Sequence, residues 1–135
     1  PPGSDLSFGR VAELPLILPD KGHGLRDLLD QHAKAAAVEL NTIIDVDSYS
    51  NIKALVAEGL GYSVLPRNAI TAEVGEGRLR SWTISGPQVV RHIYLAHSTN
   101  RPMTNAVSVV LALARETLRD LARTGRWIGA QVIDR

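Results

Sequence analysis

Three short apolar runs, each followed by a stretch with helical spacing, organise the first half of the chain. Leu14-Pro15-Leu16-Ile17-Leu18-Pro19 is apolar throughout and bounded by proline. That is the pattern of a strand buried on both faces. Asp20-Lys21-Gly22 reads as a turn. From His23 to Ala37 the apolar residues fall at Leu25, Leu28, Leu29, Ala33 and Ala36, a spacing that predicts a helix with one buried face. Thr42-Ile43-Ile44-Asp45-Val46-Asp47 is β-branched and predicts a second strand. Asp47 or Ser48 then offers an oxygen to cap the following helix, whose buried face is Ile52, Leu55 and Val56. Gly59 and Gly61 end that helix, because glycine takes the left-handed conformation at little cost. Tyr62 to Leu65 reads as a third strand, and Pro66 suits the first turn of a short helix running to about Glu73.

Repeated strand-then-helix steps imply an α/β fold, with a mostly parallel sheet, flanking helices and right-handed crossovers. After Gly75-Glu76-Gly77 the pattern changes. Leu79 to Ile84 and Val89 to His97 read as strands. Thr104 is placed to cap a last helix with Val107, Val110, Leu111, Ala114, Leu118 and Leu121 on one face, and Gly125 to stop it. Pro1 to Arg10 reads as loop or linker, and Trp127 to Arg135 takes no assignment. No internal repeat or low-complexity segment occurs.

Composition changes this picture mainly by exclusion. A chain of 135 residues is one ordinary domain. It has no cysteine, which removes disulfides, thiolate metal sites and cysteine nucleophiles and fits a reducing cytosol. The net charge is +1, from 15 basic and 14 acidic residues interleaved along the chain. A nucleic-acid binder needs a basic stripe to release phosphate counterions, and none is visible. Arg115, Arg119, Arg123 and Arg126 recur at helical spacing, as on the solvated face of an amphipathic helix. No apolar run reaches the ~20 residues needed to span a bilayer, so no membrane association is expected. The opening Pro1-Pro2-Gly3-Ser4-Asp5 lacks the basic and apolar regions of a signal peptide. With no Met before it, a fragment or processed product is expected.

The chain also lacks the constellations that carry catalysis. None of His23, His32, His92 and His97 stands in an H-E-x-x-H frame. His23 and Asp27 lie one helical turn apart, which a helix start beside a solvated carboxylate explains without a metal. His92 and His97, five residues apart on one strand, fall on opposite faces. No serine sits in a G-x-S-x-G elbow. Gly59-Leu60-Gly61 lacks the third glycine and the strand-to-helix position of a dinucleotide fingerprint. Asp45 and Asp47 share a strand face, as a helix cap and an exposed edge residue would. No enzymatic activity and no cofactor are expected. What remains is binding geometry. In a parallel sheet ligands sit outside the carboxyl ends of the strands, where helix N-termini offer free N–H groups and a positive dipole end. Pro19 to His23, Asp47 to Ser50 and Leu65 to Asn68 are three such corners, and they suit a small carboxylate.

Several stretches resemble a known family. The segment from Asp47 to Pro66, with "IKALVAEGLGYSVLP" at its centre, is similar to the effector domain of LysR-type transcription regulators. So are Leu16 to Pro19 with Gly22-His23-Gly24-Leu25-Arg26, which also look like regulators of nitrogen-assimilation type. Arg91 to Ala96 followed by Arg101-Pro102-Met103-Thr104 resembles the late strand and the start of the last helix. The resemblance covers roughly residues 1–122.

This resemblance implies a two-lobed, periplasmic-binding-protein-like (type 2) sensing domain. A small effector binds between the lobes, shifts the subunits of a homo-oligomer and alters promoter DNA. It also implies a bacterial, cytoplasmic, non-catalytic protein. The chain departs from the family in lacking the winged helix-turn-helix, the linker helix and the first half of lobe one. DNA binding is therefore expected only through the missing N-terminal region. Residues 1–10 would be the crossover between lobes, 11–97 lobe two, and 98–135 a return segment with the C-terminal helix of lobe one. Deprived of its lobe, that helix would seek another partner, such as a second copy. Carried over by position, the effector site is Pro19, Asp20, Gly22, His23, Asp47, Ser48, Gly61 and Tyr62. His23 would donate to an anion, and Ser48 would bond a carboxylate while capping its helix. Asp47 fits an anion poorly, unless it stabilises the loop or meets a donor on the effector. With half the cleft missing, effector affinity would be poor. A solute-binding component of a transport system shares the architecture and is the alternative reading, with an enzyme on a related scaffold third.

Overall fold

A computed structural model describes residues 4–133. It divides into two compact units, Pro1–Arg91 and His92–Arg135.

The first unit is built around one strand. In chain order its elements are β1 (Asp5–Ser7), α1 (Phe8–Ala12), β2 (Leu16–Pro19), α2 (Gly24–Ala35), β3 (Thr42–Val46), α3 (Tyr49–Ala57), α4 (Arg67–Gly75) and β4 (Thr83–Ser85). The apolar run Leu16–Pro19 becomes β2, and all four of its residues are buried. Alternation along the strand sends its side chains to opposite faces. Leu16 and Leu18 join Phe8, Val11, Leu25, Leu29 and Ala33 in one core. Ile17, fully buried, lies on the other side against Gly61, and α3 packs on β2. β3 pairs with β2 in parallel. On the other edge Tyr62 bridges to Leu16, also in parallel. The predicted strand Tyr62–Leu65 is limited to that bridge. β1 and β4 form a second parallel pair.

The turns follow from residue chemistry. Gly22 has φ 89°, and His23 N–H donates to the Asp20 carbonyl at 3.1 Å. This is a type II turn, which needs a positive φ at its third residue. Gly59 (φ 78°) ends α3: its N–H reaches the Val56 carbonyl, and Leu60 N–H reaches that of Leu55. These two bonds define a Schellman motif. The same motif ends α2, but there the left-handed residue is Ala37 (φ 53°).

Arg26, the one buried charged residue described, ties three elements together. Its guanidinium donates to the Pro19 carbonyl at the end of β2, to Asp45 on β3 and to Asp30 on α2. Burial opposes its charge, but the two carboxylates outweigh that and hold its pKa above the ordinary value. Asp45 is thus an ion-pair partner rather than a bare edge residue.

Three expectations are corrected. Pro1 to Arg10 is not simply loop, since β1 and the start of α1 lie within it, apart from residues 1–3, which lie outside those described. Ser7 caps α1 by accepting from Arg10 N–H, and Phe8, Val11 and Ala12 are buried. A five-residue helix is too short to show a period, so the pattern hid it. Val89 to His97 is not a strand, and Leu79 to Ile84 narrows to Thr83–Ser85. A strand exists only where a neighbour takes its N–H and C=O groups. Among the described residues nothing pairs with 89–97.

The second unit carries α5 (Asn105–Arg123). Thr104 caps it by accepting from Val107 N–H at 3.3 Å, and Gly125 (φ 71°) follows its end. Its apolar stripe has the expected spacing, yet no described residue from His92 onward is buried.

Candidate functional site

The carboxyl ends of β2 and β3 lead directly into the N-termini of α2 and α3. Around these two corners lies a solvent-open cleft of about 480 Å³, lined by His23, Asp47, Ser48, Tyr49, Ser50 and Arg91. All six belong to the first unit.

Each lining group has a local reason for its place. The type II turn at Asp20–His23 delivers His23 as the N-cap of α2. Its Nδ1 accepts from Leu25 N–H at 3.2 Å. That bond assigns the neutral ring's proton to Nε2, which is left as a donor. The ring lies 5.5 Å from that of Tyr49, so the first turns of α2 and α3 touch through their aromatic faces. Ser48 is the N-cap residue of α3, but its side chain makes no capping bond. The predicted cap is therefore positional only. The first N–H groups of any helix lack intrahelical partners, and here they keep their capacity for a ligand, along with the Ser48 hydroxyl.

Arg91 completes the cleft from far along the chain. Its Nη2 lies 4.0 Å from where a Cβ on Gly24 would stand, so the guanidinium reaches over the first turn of α2. Among the described residues Arg91 has no hydrogen-bond or ion-pair partner, and neither has Asp47. A cation beside the positive end of a helix dipole raises the local potential. An anion placed there would relieve it.

The structure gathers three of the eight residues carried over by resemblance: His23, Asp47 and Ser48. Pro19, Asp20 and Gly22 build the corner without lining the cleft. Pro19 is buried and gives its carbonyl to Arg26, Asp20 accepts the turn's hydrogen bond, and Gly22 supplies the positive φ. Gly61 and Tyr62 lie at the opposite, amino end of β2. Tyr62 N–H donates to the Pro15 carbonyl at 2.9 Å, and Ile17 N–H to that of Tyr62 at 2.7 Å. A parallel strand enters the sheet at its amino end, so its first residues are as far from the carboxyl edge as the strand allows. Gly61 is there for packing: a Cβ would stand 2.7 Å from the Pro15 carbonyl oxygen.

Tyr49 and Ser50 fall within the predicted corner Asp47 to Ser50 but not among the eight residues carried over by resemblance, and Arg91 was missed altogether. The first two had a signal, since they follow the cap and form the first turn of α3. Arg91 had none, because nothing local tells one exposed arginine from another. Among the described residues no cluster of potential metal ligands exists, and no helix is long and apolar enough to cross a membrane.

Comparison with known proteins agrees with this architecture. The LysR substrate binding domain family matches residues 2–119. A probable hydrogen peroxide-inducible genes activator of Streptomyces viridosporus is 35% identical over 113 residues, covering 82% of this chain and 36% of that protein. A RuBisCO operon transcriptional regulator of Acidithiobacillus ferrooxidans is 30% identical over 105 residues, 76% of this chain and 34% of its own length. A probable nitrogen assimilation transcriptional activator of Synechococcus elongatus is 23% identical over 90 residues, 67% of this chain and 29% of its own. The nitrogen-assimilation subtype is therefore not singled out. The chain spans about a third of the length of these curated relatives. On the match to residues 2–119, the chain belongs to the LysR substrate-binding domain family, whose fold is periplasmic-binding-protein-like.

Proposed function

We propose that this chain is an effector-sensing segment of a cytoplasmic transcription regulator, not an enzyme. In this reading the cleft between the N-termini of α2 and α3 binds a small anionic metabolite. Occupancy then controls DNA binding by a homo-oligomer whose helix-turn-helix lies outside the chain. Residues 11–97 form lobe two of the sensing domain, and the segment from 98 belongs with lobe one. The observation that carries the reading is the cleft itself, where two helix N-termini converge with Arg91, which has no partner among the described residues. Such convergence is a recurring way of holding carboxylates and phosphates. Relatives that act as transcriptional regulators support the regulatory part.

The test is a backbone amide NMR titration with a panel of small organic acids. Shifts centred on His23, Ser48, Ser50 and Arg91, lost in Arg91→Gln, are expected. Acids that bind elsewhere, or equally well to Arg91→Gln, would sink the assignment. Self-association is part of the same reading, because α5 exposes Val109, Val110 and Leu113. Sedimentation analysis should show a concentration-dependent rise in mass, and a monodisperse monomer at high concentration would count against it.

A further inference from the structure

The cleft carries charges of both signs, and a simple anion uses only one of them. Arg91, the Ser48 hydroxyl and the unfilled first turn of α3 suit a carboxylate. Asp47 lines the same space with a carboxylate of its own. It does not cap α3, and no cation pairs with it among the described residues. Arg91 and Asp47 thus share one open cleft, both exposed to solvent, and among the described residues neither pairs with the other or with a neighbour. This contrasts with Arg26 and Asp45 below, and with Lys53 and Glu73 between α3 and α4, where opposite charges in reach do pair.

For a plain carboxylate, Asp47 is a repulsive neighbour at short range. A ligand carrying a protonated amine next to its carboxylate turns that repulsion into a second charge-assisted hydrogen bond. The cleft is open to solvent, and its volume of about 480 Å³ admits a small molecule.

We propose that the cleft selects zwitterions of the α-amino acid type, with the carboxylate on Arg91 and the α3 N-terminus and the ammonium on Asp47. This rests on the reading of the cleft as the effector site, and it assigns the ligand class that this reading leaves open. Asp47 is then the specificity-determining residue. It penalises simple acids and accepts their amino counterparts.

The test uses matched pairs that differ only in the amine: alanine with propionate, glutamate with glutarate, and phenylalanine with 3-phenylpropionate. Each is titrated by amide NMR into the 135-residue chain and into Asp47→Asn and Arg91→Gln. Circular dichroism confirms that both variants fold. At least one amino acid should bind roughly tenfold or more tightly than its deaminated partner, the scale of one charged hydrogen bond. Asp47→Asn should erase that ratio by weakening the amino acid and strengthening the simple acid, whereas Arg91→Gln should weaken both. If the simple acids bind as well as the amino acids, or Asp47→Asn leaves the ratio unchanged, the zwitterion assignment falls and the anion site stands. If no pair perturbs the amides of His23, Asp47 and Ser48, both fall together.

Discussion

β2 and α5 carry equally clear apolar patterns but are covered to different degrees. Along β2, Leu16, Ile17 and Leu18 are each at most 1% exposed, wrapped on both faces by α1, α2 and α3. Along α5, an equally regular stripe is half-buried at Leu111, Ala114, Leu118 and Leu121 and leaves Val107 and Val110 exposed, Val110 to 64%. α5 is capped by Thr104 and followed by Gly125 as its sequence predicts. Amphipathic spacing states which face of an element is to be covered, and says nothing of what covers it. Most helical stability comes from tertiary packing rather than propensity, so α5 illustrates a helix specified locally whose apolar face is only partly covered.

The comparison is broken most directly by truncation to alanine in each of the two regions. Ile17→Ala should lower unfolding free energy by about 2–5 kcal/mol, the cost of removing a core side chain and leaving a cavity. Val110→Ala, on the α5 stripe and 64% exposed, should change it by less than about 0.5 kcal/mol, as at other exposed sites. Urea denaturation measures both, and similar losses would show that α5 is packed after all. Gly61→Ala comes next. Its added Cβ meets a backbone carbonyl and the Ile17 side chain, so a loss of roughly 1–3 kcal/mol is expected from overpacking. Unchanged ligand titrations in a folded Gly61→Ala variant would confirm its place away from the cleft.

Ala37→Gly tests the sign of a smaller effect. Ala37 occupies the left-handed position that ends α2, which costs a residue with a Cβ about 1–2 kcal/mol. Glycine removes that cost and returns part of it as chain entropy, so a net gain of roughly 0.5 kcal/mol is expected. A thermal midpoint that falls instead would contradict this account.

The last prediction concerns Lys53 and Glu73, which join α3 to α4. The hydrogen bond from Lys53 holds the Glu73 carboxyl below its ordinary value of 4.5. A lowered folded pKa means that the pair's contribution is complete above the unfolded value and fades as pH falls through the folded one. The stability gap between the wild-type chain and Lys53→Met should therefore narrow on acidification below about pH 4.5. A gap that stays constant from neutral pH to pH 3 would show that the pair is not the cause.

Local chemistry determined much of this protein before any tertiary contact was known. The runs at Leu16 and Thr42, the turn at Gly22, the Thr104 cap and the glycine stops at Gly59 and Gly125 each follow from a few adjacent residues. So does the rule that helices begin where parallel strands end, which put His23, Asp47 and Ser48 in one cleft. Tertiary structure alone decided the rest. Whether 89–97 becomes a strand depends on a neighbour, and no residue within it encodes one. Asp45 became the partner of a buried arginine because α2 packs where it does. Arg91 reached the cleft, and Gly61 and Tyr62 did not, because proximity across a sheet is set by strand order and direction. A spacing along the chain records which way a side chain points, but the distance between two ends of a parallel strand appears only once its neighbours are in register.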